Sequence, residues 1–144
     1  MYKIHLDKEL RLVRLHHYGD FVGAEIVLAL RELYLNWSSY SPEQPLDYYH
    51  RIFVDVSKST RGTLHDSDTA FHHLESKKFI KWGFAGQWKM VILKPPGKTE
   101  KADERFKRVK EVGAWREFDI TMVESLEEVV SLLDLPAGYE PAEF

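Results

Sequence analysis

Arg51-Ile52-Phe53-Val54-Asp55-Val56 decides the fold. The run is almost continuously apolar, and a polar stretch from Ser57 to His65 follows it. It is too short for an ordinary globular helix, and its β-branched and aromatic residues suit an extended chain. A strand apolar on both of its faces is one covered on both sides. That is the position of a central strand in a parallel sheet, where crossover helices shield each face. The flanking sequence should therefore alternate helices with further strands.

Toward the amino end, Tyr2, Ile4 and Leu6 alternate with Lys3 and His5, the period-2 pattern of a half-buried strand. Asp7-Lys8-Glu9 turns the chain, and Leu10 to His17 reads as a second strand, paired antiparallel with the first through a short turn. Leu10, Leu12 and Leu15 are expected inside, with Arg11 and Arg14 outside. Gly19-Asp20 is read as the end of that strand, and Asp20 as the N-cap of a helix from about Phe21 to Trp37. Its apolar stripe runs through Ala24, Val27, Leu28, Leu30 and Leu35. Ser38 to Tyr49 carries Pro42 and Pro45 and reads as a loop.

Toward the carboxyl end, Asp66-Ser67-Asp68 offers caps for a helix containing Ala70, Phe71, Leu74 and Lys78, which Trp82 to Gly86 breaks. Trp88 to Leu93 is a fourth strand closed by Pro95-Pro96-Gly97. Ala102 to Val112 is amphipathic, with Phe106 and Val109 on its apolar stripe. Glu117 to Val123 is a fifth strand alternating Phe118, Ile120 and Met122. Ser125 with Glu128 three residues on is a capping box for a last helix, ended by Pro136. The whole reads as an α/β fold: a mostly parallel five-stranded sheet with an antiparallel N-terminal edge strand and four helices. Residues 1–136 are expected to form one domain, and residues 137–144 a loosely held tail.

A chain of 144 residues can bury a normal core without metal or disulfide. There is no cysteine, which removes disulfides, thiolate metal sites and a cysteine nucleophile. A net charge of −3 argues against nucleic acid as a partner. The basic residues from Lys98 to Lys110 are interleaved with Glu100, Asp103 and Glu104, as on the solvated face of a helix. Neither a signal peptide nor an apolar run of membrane-spanning length is present, so the expected setting is cytoplasmic, without membrane insertion.

The element order and the Asp66-Ser67-Asp68-Thr69 segment resemble the STAS domains, the anti-sigma factor antagonist fold. Within that family the likeness is to uncharacterised bacterial single-domain proteins termed SpoIIAA-like. In the antagonists an Asp-Ser-Ser-Gly motif after the third strand opens a helix, and its second serine is phosphorylated by a partner kinase. On that pattern Asp66 and Ser67 match the first two positions, Asp68 falls on the phosphoacceptor and Thr69 on the glycine. Asp68 has no hydroxyl for a serine kinase to phosphorylate, so Ser67 and Thr69 are the modifiable neighbours. The resemblance implies a non-enzymatic regulatory domain, possessing no cofactor, that binds a protein partner or itself.

The residues alone give a weaker second reading. In parallel sheets ligands sit beyond the carboxyl ends of the strands. That rim gathers Ser57, Lys94 and Lys98, and with loop aromatics such as Trp37, Tyr40, Tyr48 and Trp82 it would suit a small apolar or anionic ligand. His65, Asp66, Asp68, His72 and His73 lie close in sequence, but without an HExxH-type spacing they imply no metal site. No Gly-x-Ser-x-Gly elbow or phosphate-cradling loop occurs, so no catalytic residue is assigned.

Overall fold

The computed structural model describes residues 1–22, 24–45, 48–63, 89–94 and 119–141. They form one five-stranded sheet whose spatial order follows the chain. The strands are β1 (Tyr2–Asp7), β2 (Leu12–Val22), β3 (Arg51–Thr63), β4 (Lys89–Leu93) and β5 (Asp119–Val123). β1 is an antiparallel edge, with Ile4 opposite Leu15, and every later pairing is parallel. The expected α/β sheet is therefore the observed one. The described helices are α1 (Ala24–Leu35), the single turn α2 (Trp37–Tyr40) and α3 (Leu126–Leu132). The helices expected after Asp66 and from Ala102 fall outside the described residues.

Register and pleat divide the core in two. Leu15, Val54, Ile92 and Met122 stand side by side across the sheet on its first face. There they pack with Ala29, Leu30 and Leu33 of α1, where the three- and four-residue steps to Leu33 put those side chains on one stripe. Phe53 and Val91 hold the centre of the second face, against Val129 and Leu133 of α3. Ile52, Phe53, Val54 and Val56 are apolar at odd and even positions alike because both faces of β3 are covered there.

Ser125 caps α3 as expected. Its side chain accepts the Glu128 N–H at 3.3 Å, while the Glu128 carboxylate accepts the N–H groups of Glu124 and Ser125. Those backbone donors hold the Glu128 carboxyl below its usual range. Ser125→Ala should cost about 1 kcal/mol, the usual value of an N-cap. Urea denaturation would read this as a lower midpoint with an unchanged slope. A loss within error would mean that α3 starts without this cap.

Several local expectations are overturned. Gly19-Asp20 does not end the second strand; β2 runs on to Val22, so Asp20 lies in a strand and caps no helix. α1 accordingly begins at Ala24 rather than Phe21. Gly19 takes a φ of +69°, a left-handed conformation that glycine adopts without a Cβ penalty. Arg14 is buried rather than outward, because β2 is an interior strand covered on both faces. The loop expected from Ser38 begins with the α2 turn. The polar stretch that follows Val56 is strand as far as Thr63, paired to β2.

Candidate functional site at the carboxyl ends of the strands

The four parallel strands do not end together. β4 and β5 stop at Leu93 and Val123, with Leu93 paired to Asp55. β2 and β3 continue past that line as a parallel ribbon, two-stranded among the described residues, from Tyr18 opposite Lys58 to Val22 opposite Thr63. The ribbon is irregular where it leaves the sheet. His16 pairs with Asp55 and Tyr18 with Lys58, so His17 alone faces Val56 and Ser57. The register slips again between Gly19 and Asp20, where Thr60 is the extra residue. Bulges of this kind raise the local twist and re-aim the strand.

Asp55 sits at the first slip and is 7% exposed. One carboxylate oxygen accepts the Ser57 N–H at 2.9 Å and the Ser57 hydroxyl at 2.5 Å. The other lies 3.5 Å from Nδ1 of His16. Burial lowers the His16 pKa from its ordinary value; the Asp55 charge works against that, and Lys58 and Arg14 add to it. The His16 ring also stacks beside Tyr18 at 6.0 Å. The serine hydroxyl is thus turned to the carboxylate, whereas a nucleophile would be turned to the imidazole that takes its proton.

Arg14, two residues before His16 on the same face, is 4% exposed. Its guanidinium offsets part of the rise that burial imposes on the Tyr139 phenol. The chain after α3 turns through Tyr139 N–H to Pro136 carbonyl at 3.0 Å, which lays the ring on the second-face core. At the end of β4, Lys94 is nearly enclosed and its ammonium lies 3.2 Å from the exposed Glu124 carboxylate.

Of the residues assigned from sequence, Ser57 and Lys94 do lie at this rim, each already engaged by a neighbouring carboxylate. Asp66, Ser67, Asp68, Thr69 and Lys98 lie outside the described residues, as do His65, His72, His73 and Trp82. Trp37, Tyr40, Tyr48 and Tyr49 pack on the first-face core, Trp37 and Tyr48 each edge-on to Tyr49. Tyr49 precedes β3 by two residues, so this aromatic group covers the amino ends of the strands. It contributes nothing to the rim. Among the described residues, no three His, Asp or Glu side chains stand close enough to hold a metal. None of the described helices is long and apolar enough to cross a membrane.

Sequence reading did not assign Asp55, His16 or Arg14 to a site. The signal was present at Asp55, a carboxylate that interrupts the most apolar run in the chain, where both faces of the strand are expected to be covered.

No protein-family model matches the chain, and no curated protein does. Among solved structures, the chain is similar to the anti-sigma factor antagonist SpoIIAA in its unphosphorylated form. The two share 12% identity with a TM-score of 0.43, over 89% of this chain and 92% of that one.

Proposed function

We propose that this chain is a STAS-like, non-enzymatic regulatory domain of the cytoplasm. It binds a protein partner, or a second copy of itself, beyond the carboxyl ends of its strands. The Asp66-Ser67-Asp68-Thr69 segment is the contact. The sequence resemblance supports the class, and one structural observation supports the place. β3 outruns β4 by the length of the ribbon and releases the chain at Thr63, with only Leu64 and His65 before Asp66. Thr63 lies well past Asp55, the last β3 residue paired to β4, and recognition residues are commonly carried by the segments that follow a rigid scaffold. The rim chemistry agrees with binding rather than catalysis: Ser57 donates to Asp55 and not to His16, and Lys94 is matched by Glu124.

The test is capture from the native host with tagged wild type and with the double variant Ser67→Ala, Asp68→Ala, read by quantitative mass spectrometry alongside sedimentation of each protein alone. A stoichiometric partner, or a dimer, should weaken about tenfold in the variant, equal to about 1.4 kcal/mol. The melting temperature should stay put, since surface substitutions usually change stability little. A partner or dimer held equally well by both proteins would remove this segment from the interface.

A further inference from the structure

We propose that Asp55 is a conformational pin that fixes the direction in which the β2–β3 ribbon leaves the sheet. The inference starts from two needs that meet at one place. The register slip after His16 leaves Val56 and Ser57 facing a single residue, so the ladder no longer provides each backbone donor with a cross-strand acceptor. Asp55 has the opposite problem: a carboxylate this enclosed must be compensated by donors. The Asp55 side chain bends forward to accept the Ser57 N–H, forming an Asx-type turn within the strand, and takes the Ser57 hydroxyl on the same oxygen. Its second oxygen faces His16 across the strand pair. One side chain therefore ties the bulged residue of β3 to the last regular pair of β2.

The position of this tie is what makes it a pin. Leu93 is the last β4 residue paired to β3, and its partner is Asp55 itself. Before Asp55, strands on both sides fix β3; after it, β2 is the partner among the described residues. Among the described residues this stretch of β3 is held from the β2 side and bulged twice, so its angle to the sheet is set where it leaves it. Asp55 stands at the pivot and contacts both ribbon strands.

The pin belongs to the fold and holds whether or not the segment beyond Thr63 binds a partner; its bearing on binding rests on the proposed function. Hydrogen exchange on the isolated protein tests it without any partner. In Asp55→Ala, the amides from Ser57 to Thr63 should exchange about tenfold faster or more, while those of Lys89 to Leu93 should change much less. Asp55→Asn, which keeps one acceptor oxygen, guards against a variant that does not fold and should show a smaller change in the same residues. Ser57→Ala removes only the hydroxyl and should fall between wild type and Asp55→Ala. Equal acceleration in the ribbon and in β4 would mean that Asp55 supports the whole fold and pins nothing. Unchanged exchange in the ribbon would overturn the inference outright. Lost partner binding with unaltered exchange would count against the pin while leaving the proposed interface standing.

Discussion

Phe53→Ala should destabilise the protein by about 3–5 kcal/mol, the range for deleting a large aromatic side chain from a closed core. Phe53 is completely enclosed, in the middle strand of the sheet. Arg14 and Val91 flank it in register, and α3 closes over the same face through Val129 and Leu133. The strands on either side are hydrogen-bonded in place, so the backbone cannot collapse into the space. The cavity would therefore persist, and the loss should sit toward the upper end. Domains of this size are stable by about 5–15 kcal/mol in total, so the variant would keep only part of its margin. Phe53→Leu, which refills most of the volume, should lose far less. Urea denaturation of the three proteins decides the matter. A loss below about 1 kcal/mol for Phe53→Ala would show that the second face is loosely packed, contrary to its enclosure.

Phe53 lies in the run that decides the fold. A parallel strand shielded on both faces must be apolar at odd and even positions alike, and few other settings impose that demand over six residues. The central strand, the alternating Tyr2-Ile4-Leu6 edge and the Ser125–Glu128 box were all legible for this reason: each is a local pattern with one physical cause. Where two causes competed, reading failed. Gly19-Asp20 carries turn residues, yet cross-strand pairing to β3 holds both in β2. Ser57 to Thr63 carries few apolar side chains, and nothing local distinguishes a polar strand that exists by pairing from a polar loop. Arg14 was placed outside by alternation alone. Period 2 separates inside from outside only when one face meets water, and from Leu12 to Leu15 β2 has water on neither.

The rim was legible in position but not in composition. The rule that parallel sheets present their ligand edge at the strand carboxyl ends singled out Ser57 and Lys94, which lie level with the ends of β4 and β5, although β3 itself runs on to Thr63. It could not tell that Ser57 serves Asp55, because that bond depends on a register slip that only the paired strands reveal. Asp55 could have been found earlier by asking of the decisive run what partner its one carboxylate would need. A buried acid in a central strand implies donors nearby, and the bulge supplies them.

Acidification should weaken the fold through His17. Its side chain is fully enclosed on the first face, two residues beyond Leu15, with Nδ1 3.4 Å from a carboxylate oxygen of Glu25 on α1. The Tyr2 ring lies 5.9 Å away, tilted against it. Burial is the dominant influence and carries the His17 pKa down to about 4; Glu25 opposes that fall without reversing it, and the Met1 ammonium and His16 add to it. The unfolded chain titrates this group near 6.5, so below that pH it binds a proton that the folded state refuses. Stability is therefore complete above about pH 6.5 and drains away as the pH falls toward 4. At about 1.4 kcal/mol per pH unit, the whole window is worth roughly 3 kcal/mol. His16, also lowered by burial, acts in the same direction. Urea denaturation at intervals from pH 7.5 to 4 should trace this loss, and His17→Gln, which keeps a neutral polar partner beside Glu25, should remove the larger part of it. Two results would defeat the account: a His17 resonance titrating at or above 6.5, or a His17→Gln protein as acid-sensitive as wild type. Either would mean that the imidazole admits its proton within the fold, and that the contact between α1 and β2 does not depend on keeping it neutral.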